Sequence, residues 1–213
     1  MPDSSPLAVS KPRAVTPRHA ASLIIVRQSA AGTAMLMGMR GAKHRFMPNR
    51  LVFPGGRVDP ADHKAPFATP LPAETRALLE RTAPPRLAQG LALAATRELE
   101  EETGLSLGSP LGAPPELDGL HYLCRAVTPP NQHMRFNARF LVVDADRVTG
   151  TLAGSGELEG LRWYDMAEAL ALDLAGITRD VLHNLQRFLA MSGAERQARA
   201  EIPINRFNRW SME

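Results

Sequence analysis

The chain of 213 residues is long enough to bury a substantial core and suits one domain with decorations rather than several. Its 25 basic and 22 acidic residues nearly cancel, so the pI of about 9.5 reflects a small excess and gives no ground for nucleic acid as a partner. A single cysteine, Cys124, excludes an internal disulfide framework and fits a reducing, cytoplasmic compartment, and no apolar run is long enough to cross a bilayer, so no membrane is expected.

Residues 1–19 carry Pro, Ser, Lys and Arg without the apolar core of a secretory signal and are expected as a flexible tail. Folded structure should begin at Ala20, where the apolar run to Arg27 is typical of a buried strand. Ala31-Gly32 turns the chain into Ala34–Arg40, its antiparallel partner. A polar loop over 41–50 leads to Leu51-Val52-Phe53, a strand stopped by Pro54, and Gly55-Gly56 allow close backbone approach to whatever lies against them. Pro66, Pro70 and Pro72 open the next segment, Ala73 to Thr82 reads as helix, and Ala83-Pro84-Pro85 breaks it.

The run Leu91-Ala92-Leu93-Ala94-Ala95 continues as a helix into Arg97-Glu98-Leu99-Glu100-Glu101-Glu102-Thr103, with Gly104 suited to the left-handed backbone at its end. Glu98 and Glu102 are one turn apart with Glu101 beside them, Leu91, Ala95 and Leu99 line the opposite side, and Glu100 points elsewhere. At about 5 Å and an effective dielectric near 20, each like-charge pair costs roughly 3 kcal/mol, and the helix dipole adds to it. Full solvation or a divalent cation would relieve this, and hard ions such as Mg²⁺ and Mn²⁺ select carboxylate oxygens.

Two further strands are expected over Leu120–Val127 and Arg135–Val143, joined by Thr128-Pro129-Pro130-Asn131-Gln132-His133. Arg135 and Arg139, four apart in a strand, point to one face; phosphate binding and plain solvent-facing alternation both fit them. Glu157 and Glu159 stand in a loop before Leu161-Arg162-Trp163-Tyr164. Asp165 and Glu168 form a helix-start capping pattern. Ile177, Val181, Leu182, Leu185, Phe188 and Leu189 then repeat at helical spacing, as on a packing helix. One domain over 20–193 and a C-terminal tail over 194–213 follow, the tail apolar enough to dock on its own domain or on a partner, which leaves a homodimer open.

Arg97-Glu98-Leu99-x-Glu101-Glu102-x-Gly104-Leu105 resembles the second half of the signature of Nudix hydrolases at every defined position. Its first half, Gly-x5-Glu, is matched by Gly56-x5-Asp62, with Asp for Glu, in Phe53-Pro54-Gly55-Gly56-Arg57-Val58-Asp59-Pro60-Ala61-Asp62. The 34 residues between Asp62 and Arg97 far exceed the family's spacer, so the box reads as split by an insertion over 63–90, a candidate lid or substrate wall. The loop before the box resembles a second motif, that of coenzyme A diphosphatases: Leu36, Arg40, Arg45, Phe53, Pro54, Gly55 and Gly56 match its spacing, while Met37, Gly38, Gly41 and Asn49 depart from it.

The resemblance implies an α/β Nudix fold, a mixed β-sheet sandwiched between α-helices, and hydrolysis of the diphosphate in a small-molecule nucleotide with Mg²⁺ or Mn²⁺. Glu98, Glu101 and Glu102 become ligands, one of them a general base in place of a ligand, with Glu157 or Glu159 as a further carboxylate. Arg97 orients the acids, Gly55 and Gly56 shape the loop beside them, and Asp62 is a weaker candidate at the metal. Arg40, Arg45 and Arg135 are candidate substrate contacts, since Arg offers a forked donor for phosphates. Coenzyme A or an acyl derivative is the expected substrate; a dinucleotide or nucleotide-sugar pyrophosphatase acting on ADP-ribose or NADH, and a non-catalytic nucleotide sensor, are the alternatives.

Overall fold

A computed structural model describes residues 15–30, 32–42 and 46–213. Most of the expected N-terminal tail therefore lies outside the described residues. The run predicted as a strand builds β1 (Arg18–Ser29), and the turn after it leads into β2 (Gly32–Arg40), antiparallel in the register Val26↔Met35. The other edge of β1 pairs in parallel with β7 (Phe136–Asp144), which is itself antiparallel to β6 (His121–Val127). Two short pieces, β3 (Leu51–Val52) and β4 (Gly55–Arg57), pair with β2 and β1, and β9 (Leu158–Asp165) pairs with β2. The sheet is thus mixed, as expected.

Why β1 is apolar on consecutive residues follows from its two covered faces. Leu23 and Ile25 pack with Leu79, Leu91, Ala95 and Leu99, from α1 (Ala73–Glu80) and α2 (Pro85–Thr103). Ile24 and Val26 pack with Val181, Leu182, Leu185 and Phe188 of α4 (Gly176–Ala190). Helices on both faces make the expected sandwich. Pro85 occupies the first turn of α2, where its missing N–H costs nothing, and Gly104 closes the helix at φ 70°. Half of the segment expected as an insertion is therefore α1 and the opening turns of the box helix.

Two local expectations change. The Asp165 side chain makes no cap hydrogen bond at α3 (Met166–Ala171); Glu168 is drawn instead to Arg162, with which it forms an ion pair. Residues 194–213, expected as a tail, finish α5 (Gly193–Gln197) and then add the hairpin β10 (Pro203–Arg206) and β11 (Arg209–Met212). β10 runs parallel to β6, and the sheet order becomes β11-β10-β6-β7-β1-β2-β3. β5 (Leu105–Leu107) and β8 (Val148–Gly150) form a separate pair. Among the described residues no helix is long and apolar enough to cross a membrane.

Candidate active site

The C-terminal turns of α2 lie against β4, and the two halves of the split box meet there. Arg97 Nε and Nη2 donate to the two oxygens of Asp62 at 2.9 and 3.1 Å, and Nη2 also donates to the Arg57 carbonyl at 3.0 Å. Arg97 Nη1 donates to Glu98 and to Glu101, both at 2.9 Å. Despite desolvation, hydrogen bonding to Asp62 and the nearby acid charges hold Arg97 firmly protonated. Asp62 is buried and also accepts from the Asp59 N–H at 2.7 Å. It is an anchor for Arg97 and not a carboxylate facing the cavity.

Close packing explains the two glycines. A Cβ on Gly56 would stand 2.1 Å from Glu98 Oε1, and one on Gly55 would stand 2.5 Å from the Ala21 carbonyl. With no side chain there, the Gly55 N–H donates to Glu102 Oε2 at 2.8 Å. Glu98 and Glu102 face a cavity of about 800 Å³ that Gly55, Gly56, Arg40 and Glu157 also line. Burial pushes the Glu102 carboxyl up to about 7, against the pull of the Gly55 N–H, and the Glu98 and Glu157 charges push the same way. Burial also raises Glu98, with Arg97 opposing. Arg40 lines the same cavity, and its buried Nε has no hydrogen-bond partner among the described residues.

Several candidates sit elsewhere. Glu101 turns outward and pairs with Arg97, its side chain 57% exposed, because its helical phase carries it past the edge of β4. Glu159 is exposed on β9, while Glu157, just before that strand, lines the cavity. Arg135 is buried, donating to the Thr128 and Val15 carbonyls, and lines a smaller cavity of about 300 Å³ with Arg125 and Arg206. Arg139 is fully buried beside His19 and the Thr82 carbonyl, so solvent-facing alternation fails for both: the turn after α1 and the segment before β1 cover that face. Burial lowers the Arg139 pKa to about 10. Arg45 lies outside the described residues. Glu100 accepts from Ser106 Oγ at 2.6 Å, away from the cavity as predicted. Cys124 is buried in β6, its thiol pushed up by burial.

The donor set facing the cavity is carboxylate oxygen, the chemistry a hard divalent ion requires. Desolvated acids with raised pKa values are also what such an ion would stabilise as anions. Among the described residues no three His, Cys, Asp or Glu side chains are already gathered around one point, so Glu98, Glu102 and Glu157 fit an ion by donor type and shared cavity, not as a closed cage. The sequence had passed over other lining residues: Thr178 of α4, Asn205 of β10, and Asn131 and Gln132 in the β6–β7 loop. The only local hint was polar residues set among apolar ones, such as Asn205 after Ile204.

A family model described as NUDIX domain matches residues 17–185. Among solved structures, a NUDIX hydrolase from Alicyclobacillus acidocaldarius is 26% identical, with a TM-score of 0.62 over 79% of this chain and 90% of that one. A MutT NUDIX hydrolase from Burkholderia pseudomallei is 21% identical, with a TM-score of 0.51 over 80% of this chain and 99% of that one. The NUDIX domain of Shewanella oneidensis NrtR, complexed with ADP ribose, is 13% identical, with a TM-score of 0.50 over 83% and 90%. The last two show the fold alone. Among curated proteins none matches.

Proposed function

The chain belongs to the NUDIX family and is a Nudix diphosphohydrolase, and from that membership we propose that it cleaves the diphosphate of a nucleoside-diphosphate derivative, with coenzyme A or an acyl-coenzyme A as substrate and Mg²⁺ or Mn²⁺ as its ion. The observation that carries this reading is one cavity lined by Glu98, Glu102 and Glu157 together with Arg40, whose Nε has no hydrogen-bond partner among the described residues. Three acids suit a cation, and a guanidinium beside them suits a phosphate oxygen.

Nudix hydrolases generally use divalent metal ions, which neutralise phosphate charge and lower the pKa of bound water. The protein's own part is placement. Glu98, Glu102 and Glu157 would supply the oxygen ligands for such an ion, with one of these acids acting as general base for the attacking water in place of a ligand. The Gly55 N–H fixes Glu102, and Arg97, locked by Asp62, fixes Glu98. Arg40 neutralises charge on the diphosphate or on a further phosphate, the role proposed also for Arg45. The buried free thiol of Cys124 is in keeping with a reducing, cytoplasmic setting.

The test is a panel of coenzyme A, acetyl-coenzyme A, ADP-ribose and NADH, with product masses determined with and without Mn²⁺. The expected products from coenzyme A are adenosine 3′,5′-bisphosphate and 4′-phosphopantetheine, with no turnover in the presence of chelator. Cleavage of ADP-ribose or NADH with coenzyme A left intact would overturn the substrate. Cleavage undiminished by chelator would overturn the ion.

A further inference from the structure

The sheet carries a row of residues that the chemistry of the acids does not use. Asn205 on β10 is the register partner of Ala126 on β6, Ala126 of Ala138 on β7, Ala138 of Ala20 on β1, and Ala20 of Arg57 on β4. Directly opposed residues share a face, and all five line the large cavity. The row crosses four strand spacings, about 19 Å at roughly 4.8 Å each. At one end Gly56, next to Arg57, lies against Glu98. The other end is Asn205, on the hairpin that local sequence gave no reason to bring near the acids. Between them three alanines make a floor of small side chains, with Phe136 and Phe46 packed edge-on beside it at a centroid distance of 4.7 Å.

Asn205 is 92% buried, as its exposure of 8% shows, and Thr178, reaching the cavity from α4, is 5% exposed. Neither side chain has a hydrogen-bond partner among the described residues, and both line the cavity. Their polar atoms are open to the cavity rather than sealed in the core, so a ligand entering there meets an amide and a hydroxyl that no protein group occupies. A ligand with a matching donor and acceptor would take the place of solvent there and be selected by that match. An asparagine amide presents a donor and an acceptor in one plane, which matches the N6 and N7 edge of adenine.

Building on the hydrolase reading above, we propose that Asn205, supported by Thr178, is a specificity-determining pair that reads the base edge of an adenine nucleotide lying flat on the Ala20–Ala138–Ala126 floor. The diphosphate then extends along the row toward Glu98 and Glu102. The flat floor and the neighbouring phenyl rings favour a planar ring over a flexible chain as the group at this end. The C-terminal hairpin is on this account part of the substrate site.

Equilibrium binding separates this from the hydrolysis itself. Calorimetry in the presence of chelator, where turnover stops, would compare wild type, Asn205→Ala and Asn205→Asp for ADP-ribose and its hypoxanthine counterpart, whose ring presents an oxygen in place of N6. Wild type should bind the adenine compound about 10-fold more tightly, and both variants should lose that preference, since Asp keeps the shape but not the donor. Unchanged melting temperatures would show that both variants fold. If a variant melts early, the wild-type preference alone decides, and equal wild-type affinities overturn the proposal. So does an Asn205→Ala variant that folds and keeps the preference. A pantetheine amide as the true partner would instead leave ADP-ribose affinity intact while weakening coenzyme A, and that too overturns the base. Failure of the substrate panel bears on the hydrolase reading and leaves this binding result standing.

Discussion

Arg97 holds both carboxylate oxygens of Asp62, at 2.9 and 3.1 Å, although the two residues stand 35 apart in the chain. That ion pair joins the halves of the split box, with Asp62 all but completely buried and Arg97 about a quarter exposed. Removing one member of a buried pair leaves the other charge uncompensated. Asp62→Ala should lower the unfolding free energy by about 2 kcal/mol, less than for a fully buried pair because Glu98 and Glu101 still face Arg97. Urea denaturation of the single variants and of the Asp62→Ala/Arg97→Ala double variant measures it. A double variant no less stable than either single would reveal the coupling; strictly additive losses would remove it.

A methyl group on Gly56 meets the end of a flexible side chain, Glu98, and little else. Gly56→Ala should therefore fold with its melting temperature nearly unchanged yet lose activity by 10- to 100-fold, since Glu98 must move away. Thermal melting beside steady-state kinetics checks this. Wild-type kcat in a folded Gly56→Ala protein would mean that the position of Glu98 does not matter.

The raised Glu102 carboxyl ties stability to pH. Its folded-state pKa of about 7 lies above the ordinary 4.5, so the folded state binds the proton more tightly than the unfolded one. Stability from this group is complete below about pH 4.5 and is lost as pH rises through 7. With each pKa unit worth roughly 1.4 kcal/mol, the loss is bounded at about 3.5 kcal/mol in metal-free protein. Glu102→Gln should flatten that slope and leave the metal-free protein as stable as wild type or more so near pH 8. Denaturant titrations at pH 5 and pH 8 in chelator give the slope directly. A wild-type slope identical to that of Glu102→Gln would contradict the burial of this charge.

Much of this arrangement was legible from the residues. Helical phase separates Glu98 and Glu102 from Glu100, and Gly104 ends the helix where its freedom at positive φ is needed. What eluded the sequence depends on contacts between distant segments. Asp62 could not be told from a metal candidate until α2 returned across a long gap to lie against it. Arg135 and Arg139 look solvent-facing in a lone strand, and become buried because two earlier segments, the turn after α1 and the stretch before β1, cover them. Glu157 and Glu159 are indistinguishable locally. The β2–β9 pairing shifts register between Met37 and Met39, and only the folded pairing decides which acid meets the cavity. The parallel pairing of β10 with β6 is non-local in the same way, so Asn205 carried no local signal of its place.

Glu157 and Glu159 can be separated by experiment. Glu157→Gln should lower kcat by about 10-fold or more and weaken the apparent affinity for Mn²⁺, as loss of one ligand does. Glu159→Gln, on the exposed face of β9, should stay within about threefold of wild type. Kinetics across a Mn²⁺ titration reports both quantities. Loss with Glu159→Gln and none with Glu157→Gln would reverse the assignment.

The central claim is that the carboxylates facing the large cavity do the chemistry, and single-residue exchange on one helix tests it most directly. Glu102→Gln and Glu100→Gln differ by two positions on α2, yet one side chain accepts from the Gly55 N–H at the cavity and the other from Ser106 on the far side. Measured at saturating Mn²⁺ on the best substrate of the panel, Glu102→Gln should lose at least about 100-fold in kcat, and Glu100→Gln should keep most of its activity. A Glu102→Gln enzyme retaining more than about a tenth of wild-type kcat would contradict the account.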